Sequence, residues 1–125
     1  MANSDEREEV FSRLKKSISK HKRKLDVQKD EPSNYYLNCK KPDSNGKPVF
    51  FGAVQVRKSY VSYHLMPVYM YPDLLKGISP ELKKRMQGKS CFNFKKEITE
   101  EQLNGIKELT KKSYKKFIEN GYIEN

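Results

Sequence analysis

Cysteine and histidine are scarce in this chain, with two of each in 125 residues. Two thiols, Cys39 and Cys91, cannot build the disulfide framework of a small secreted domain. Two imidazoles, His21 and His64, leave few ways to assemble nucleophilic or metal chemistry. Tryptophan is absent, so 8 Tyr and 6 Phe supply much of the core area. Long apolar runs are missing, and none approaches the ~20 residues of a membrane-spanning helix. The opening MANSDEREEV is acidic and polar, unlike a secretory leader. There is no internal repeat. These shortages predict one cytoplasmic domain over residues 1–125, with reduced thiols and no membrane span, as a monomer or weak dimer.

Acid is in short supply relative to base: 16 Asp plus Glu against 26 Lys plus Arg, a formal net charge of +10. Such an excess attracts polyanions, namely nucleic acid, anionic lipid or acidic proteins, and the partners expected are an acidic protein or nucleic acid. Lys15, Lys16, Lys20, Lys22, Arg23 and Lys24 form the densest basic stretch and are the candidate polyanion contacts. Charge alone predicts binding to nucleic acid that collapses with salt and ignores strand type.

What is plentiful is β-branched and aromatic sequence between residues 49 and 69, VFFGAVQVRKSYVSYHLMPVY. Two runs suited to a pleated surface flank the polar break 57–60, the pattern of a β-hairpin. Pairing Val56 with Val61 sets Val54 opposite Tyr63 and Gly52 opposite Leu65. Strict alternation then gives one face Phe50, Val54, Val56, Val61, Tyr63 and Leu65, a core face. The other receives Phe51, Ala53, Gln55, Tyr60, Ser62, His64 and Met66, a mixed face.

Around the hairpin, a helix is expected over 4–27, with Ser4 as N-cap and Val10, Phe11, Leu14, Ile18 and Leu25 as its apolar stripe. Asp5, Glu6, Glu8 and Glu9 in its early turns suit the helix dipole. Residues 28–33 read as a connection and 34–40 as a strand with Tyr35, Leu37 and Cys39 on one side. Asn45-Gly46 is a turn signal. A helical turn is expected over 71–77. Ser79 and Pro80 open a helix over 79–87, and 90–94 is a last strand. Thr99-Glu100-Glu101-Gln102 is a capping box for a C-terminal helix over 99–120, with Gly121 beyond its end. The fold class is α+β: an antiparallel sheet of about four to five strands, with the terminal helices packed mainly on one face.

Chemistry-bearing motifs are sparse. Gly88-Lys89-Ser90 looks like the end of a phosphate-binding loop, but Lys83 stands where that loop needs glycine, and a strand follows where a helix should. Cys39, His64 and Cys91 come from three strands and could meet around zinc, though no CxxC or HxxxH pair anchors them. Catalysis by a nucleophile and base has only two histidines to draw on, and no carboxylate pair is spaced for acid–base work. No residue is therefore assigned as catalytic or metal-ligating. The mixed face is the candidate binding surface: Phe51, Arg57, Tyr60, Tyr63 and His64 combine aromatics with cations, as a base-stacking platform would. The enzyme alternative is a small pocket near Tyr63 and His64.

Residues 46–53 (GKPVFFGA), 60–65 (YVSYHL) and 88–94 (GKSCFNF) follow one another in the succession of the YdhG-like family of small bacterial domains, which the segment 35–117 resembles. Some relatives are described as frataxin-like iron chaperones. The resemblance implies a helix–sheet–helix architecture and a possible role in iron handling through an acidic surface of hard oxygen ligands. In this chain the only acidic cluster is Asp5, Glu6, Glu8 and Glu9, beside a strongly basic stretch. The expectation is a non-enzymatic binding or accessory protein without a resident cofactor, iron being the one the resemblance would allow.

Overall fold

Five strands follow each other across one antiparallel sheet in the order in which the chain makes them: β1 (Leu25–Glu31), β2 (Asn34–Cys39), β3 (Phe50–Val56), β4 (Val61–Leu65) and β5 (Cys91–Phe94). The computed structural model describes residues 2–124, with side chains from Glu6 onward. Helices α1 (Ala2–Ser19) and α4 (Glu100–Glu119) cover one face of the sheet. Two short helices, α2 (Met66–Met70) and α3 (Pro80–Lys83), lie in the β4–β5 connection with a 3-10 turn at Pro72–Leu75. Among the described residues, no helix is long and apolar enough to cross a membrane.

The central hairpin has the expected register: Val56↔Val61, Val54↔Tyr63 and Gly52↔Leu65. Four residues link the strands, closed by the Arg57 amide donating to the Tyr60 carbonyl at 2.7 Å. Below the sheet, Val10, Phe11, Leu14 and Ile18 of α1 and Leu103, Ile106, Leu109 and Phe117 of α4 are buried against Tyr35, Leu37, Val54, Tyr63 and Phe92. The α4 capping box is complete: Thr99 Oγ1 accepts from the Gln102 amide, and Gln102 Oε1 accepts from the Thr99 amide. Gly121 takes φ +83° just past the helix, as its position at the helix end requires.

Five expectations fail, one of them the helix over 79–87, which stops at Lys83 and gives way to a turn. The first helix ends at Ser19 rather than near residue 27, and Lys22–Lys24 form a separate 3-10 turn. To continue burying its stripe beyond Ile18 the helix would need apolar residues at 21 or 22, and the chain offers His21 and Lys22. Leu25 instead enters β1, paired with Cys39 and buried. The expected connection 28–33 is largely strand, turned by Pro32 and Ser33. It was invisible as a strand because β1 is an edge with one buried residue followed by six exposed ones, so no alternation is written in it. At the other end, α1 already contains Ala2, so Ser4 lies inside the helix rather than at its cap; the side chains of Ser4 and Asp5 fall outside the described residues.

The last failure matters for function. Leu37 pairs with Gly52, and the neighbouring Asn38 pairs with Phe50, so Phe51 is the extra residue of a β-bulge. A bulge turns one side chain back to the face its predecessor should have had. Phe51 therefore points into the helices, fully buried, with its ring edge-on to Tyr114 and Phe117 at 6.2 and 6.0 Å. Phe50 moves to the opposite face, where its ring lies 4.7 Å from that of Tyr36.

Candidate functional site

The face of the sheet opposite α1 and α4 is the candidate site. Antiparallel pairing places partners side by side on one face. Reading the registers across all five strands gives one row of Glu31, Asn34, Gln55, Ser62 and Asn93, and a second of Lys29, Tyr36, Ala53, His64 and Cys91. The intervening row, Asp30, Tyr35, Val54, Tyr63 and Phe92, faces the helices. There Lys15 of α1 sits over the Tyr35 ring and pairs with Asp30 at 2.7 Å.

The open rows are tied by polar contacts. Gln55 Nε2 donates to Asn34 Oδ1 at 3.2 Å, and Arg57 donates to Gln55 Oε1 at 2.5 Å. His64 Nε2 lies 3.2 Å from Ser62 Oγ and 3.7 Å from Cys91 Sγ, and the thiol reaches Asn93 Oδ1 at 3.4 Å. Asn34, Tyr36, Phe50, Gln55, His64, Cys91 and Asn93 are all half-buried, packed flank to flank with their tips reaching solvent. Such a face offers amide donors and acceptors beside a pair of rings.

Its electrostatics are those of uncharged groups. Burial, and then the Arg57 charge, hold the His64 pKa below the ordinary imidazole value, while burial pushes the Cys91 thiol up against the opposing pull of Arg57. At neutral pH the pair is a thiol and a neutral imidazole, without the thiolate that nucleophilic cysteine chemistry requires. Cys39, the third residue of the trio weighed as a zinc site, does not join them. It is buried in the core beside Leu25, its thiol pushed up to about 12 by burial. Among the described residues, no group of three or more His, Cys, Asp or Glu is placed to hold a metal ion.

The expected ligand-binding set therefore divides. Arg57 is exposed, Tyr60 is half-buried at the β3–β4 loop, and His64 is on the open face. Phe51 is in the core, as shown above, and so is Tyr63: its hydroxyl is 2.6 Å from Thr110 Oγ1, which itself donates to the Ile106 carbonyl. Tyr63 and His64 are neighbours in sequence on opposite faces of a strand, so they line no common pocket. The residues missed were Tyr36 and Phe50. The available signal was Gly52, since glycine inside a strand pattern marks a bulge or a close backbone approach. The basic stretch also divides. Lys15 is committed to Asp30, Lys16 and Lys20 are exposed on or just past α1, and Arg23 and Lys24 turn towards Lys40 and Lys41 at the end of the sheet.

The two histidines make stability depend on acid. His21 stacks on Tyr114 at 4.8 Å, and its Nε2 is buried without a partner among the described residues. Burial, then Lys20, lowers its pKa from 6.5, as burial and Arg57 lower that of His64. With both folded values below the unfolded one, the unfolded chain binds more protons in acid. Their contribution is complete above pH 6.5 and is lost as pH falls through the folded values. Urea midpoints are expected to drop on the acid side of 6.5, and His21→Gln with His64→Gln to flatten that drop. An unaltered pH profile in the double variant would refute the assignment.

The chain matches no protein-family model, no curated protein and no solved structure.

Proposed function

We propose that this chain is a non-enzymatic cytoplasmic binding protein of the YdhG-like group, and that it recognises its ligand on the open face of its sheet. The observation that carries this reading is the pair of rows across β2 to β5. Half-buried amide, thiol, imidazole and aromatic groups share a face opposite both long helices. Amide side chains on a fixed sheet are pre-positioned donors and acceptors, which lose little freedom on meeting a ligand. The enzyme alternative loses its premise, because Tyr63 and His64 point away from each other.

The iron role implied by the resemblance has weak support in the charges. Glu6, Glu9 and Glu97 line a shallow cleft together with Arg13 and Lys96, so two cations weaken the acidic field that a metal ion would need there. Ferrous iron is nevertheless included in the test. Thermal shift and titration calorimetry against a panel of ferrous iron, nucleotides, oligonucleotides and acidic peptides will identify binders. Each binder is then measured on Gln55→Ala with Asn93→Ala, and on Lys107→Ala with Lys111→Ala on the outer surface of α4. Losing two hydrogen bonds at about 1 kcal/mol each weakens binding roughly thirtyfold. The first pair should show that loss and the second should not. A ligand indifferent to Gln55 and Asn93 would place recognition elsewhere.

A further inference from the structure

A cleft of about 560 Å³ opens at the end of the sheet where β2 leaves it, lined by Arg23, Lys24, Lys40, Lys41, Tyr122 and Glu124. It runs on into a second cleft that shares Lys41 and Tyr122. Four cations from two separate segments meet there with one carboxylate. Among the described residues, none of the four forms an ion pair or a side-chain hydrogen bond. Converging like charges in a concave site repel one another and focus a positive field outward.

The cleft opens at the end of the sheet beside the segment after α4, whose Ile123 is buried in the core, and the open face is reached from it round the sheet end. Asn38, the last ladder partner of Phe50, is two residues from Lys40. Tyr36 is four residues from Lys40 along the same strand direction, roughly 13 Å at the rise of an extended chain. A ligand lying over the Tyr36–Phe50 rings therefore reaches the cations by crossing the end of the sheet. One ligand class suits both halves: flat rings with hydrogen-bonding edges, strung on a chain of phosphates.

We propose that the ligand is a single-stranded nucleic acid, with bases stacked on Tyr36 and Phe50 and read by the Asn34–Gln55–Asn93 row, and phosphates held by Arg23, Lys24, Lys40 and Lys41. This rests on the open-face reading above and adds the ligand's class and its polarity across the surface. A duplex hides its base faces, so it engages the cleft alone. Aromatic platforms with a basic track are the general solution for single strands.

The test is fluorescence anisotropy of one labelled oligonucleotide, single-stranded and as duplex, across a salt series. The proteins are the wild type, Tyr36→Ala, Phe50→Ala, Tyr36→Phe, Lys40→Gln with Lys41→Gln, and Lys111→Gln with Lys112→Gln as a control removing equal charge from α4. Circular dichroism confirms that each is folded, and Tyr36→Phe keeps the ring should Tyr36→Ala not fold. The single strand should bind more tightly than the duplex. Each alanine variant should weaken it about 5- to 150-fold, and Tyr36→Phe should match the wild type. The Lys40, Lys41 variant should reduce the slope of log affinity against log salt by about 1.4, and the control by less. Equal binding of both strands without an aromatic effect overturns the proposal and leaves only non-specific charge. Aromatic losses with a cleft variant equal to the control overturn the cleft's part. Absence of oligonucleotide binding, beside another ligand that depends on Gln55 and Asn93, overturns the nucleic-acid class while the open-face reading stands.

Discussion

Phe51→Ala is expected to cost about 3–5 kcal/mol of folding stability, the range for deleting a buried aromatic ring. Phe51 is fully buried and edge-on to both Tyr114 and Phe117, so the ring joins the middle of the sheet to α4. Each such aromatic pair adds roughly 0.5–1.5 kcal/mol beyond the area it buries. Against a typical total of about 5–15 kcal/mol for a domain, the loss is severe. Phe50→Ala removes an identical side chain one residue away, from a half-buried position on the open face, and should cost much less. Urea unfolding of the two variants, with slopes compared to confirm two-state behaviour, reads the difference directly. If Phe50→Ala were the more damaging, Phe51 would not be the bulged residue.

Gly52→Ala should also destabilise, although it adds a single carbon. A Cβ at residue 52 would stand 2.8 Å from the His64 carbonyl oxygen and 2.8 Å from Cδ1 of Ile18. The isoleucine tip can swing away, but the carbonyl belongs to the β3–β4 ladder and cannot. Overpacking of this kind costs about 1–3 kcal/mol, and the fixed backbone contact argues for the upper part of that range. Ile18→Val removes Cδ1 and by itself costs about 0.5–1.5 kcal/mol. Combined with Gly52→Ala it should relieve one of the two clashes, giving a double variant more stable than the sum by on the order of 0.5 kcal/mol or more. A neutral Gly52→Ala, or strict additivity, would mean that α1 does not rest on the sheet at this point.

These two neighbouring residues also mark where the sequence was legible and where it was not. The β3–β4 register could be read because a short loop between two apolar runs leaves one pairing that keeps Val54, Val56, Val61 and Tyr63 together. The α4 start was legible because a capping box is local chemistry. The bulge was not, because alternation assumes that every residue has a partner, and the extra residue is specified by β2 and by the approach of Ile18 to Gly52. β1 was hidden for a different reason: Asp26 to Glu31 contribute nothing to the core, so their pairing leaves no apolar trace. The candidate site suffered in proportion. His64 lies in the open-face row and Arg57 reaches Gln55 beside it, Phe51 and Tyr63 are buried in the core, and Tyr36 gains a ring neighbour there because the bulge turns Phe50 to meet it. The cleft of Lys40 and Lys41 with Arg23 and Lys24 depends on the first helix stopping at Ser19, which no charge count reveals.

The order of the strands has a consequence in time. Each strand lies beside the one made just before it, so the first three ladders close over short stretches of chain and the β4–β5 ladder over the connection that carries α2 and α3, and the entropy of closure grows only slowly with loop length. The meeting of α1 with α4 is different: Arg13 reaches Glu100 across 87 residues of sequence. Local ladders form fast and distant contacts form late. The sheet can thus assemble with its helix-facing rings still exposed to water, and the docking of the two long helices completes the burial that makes it permanent.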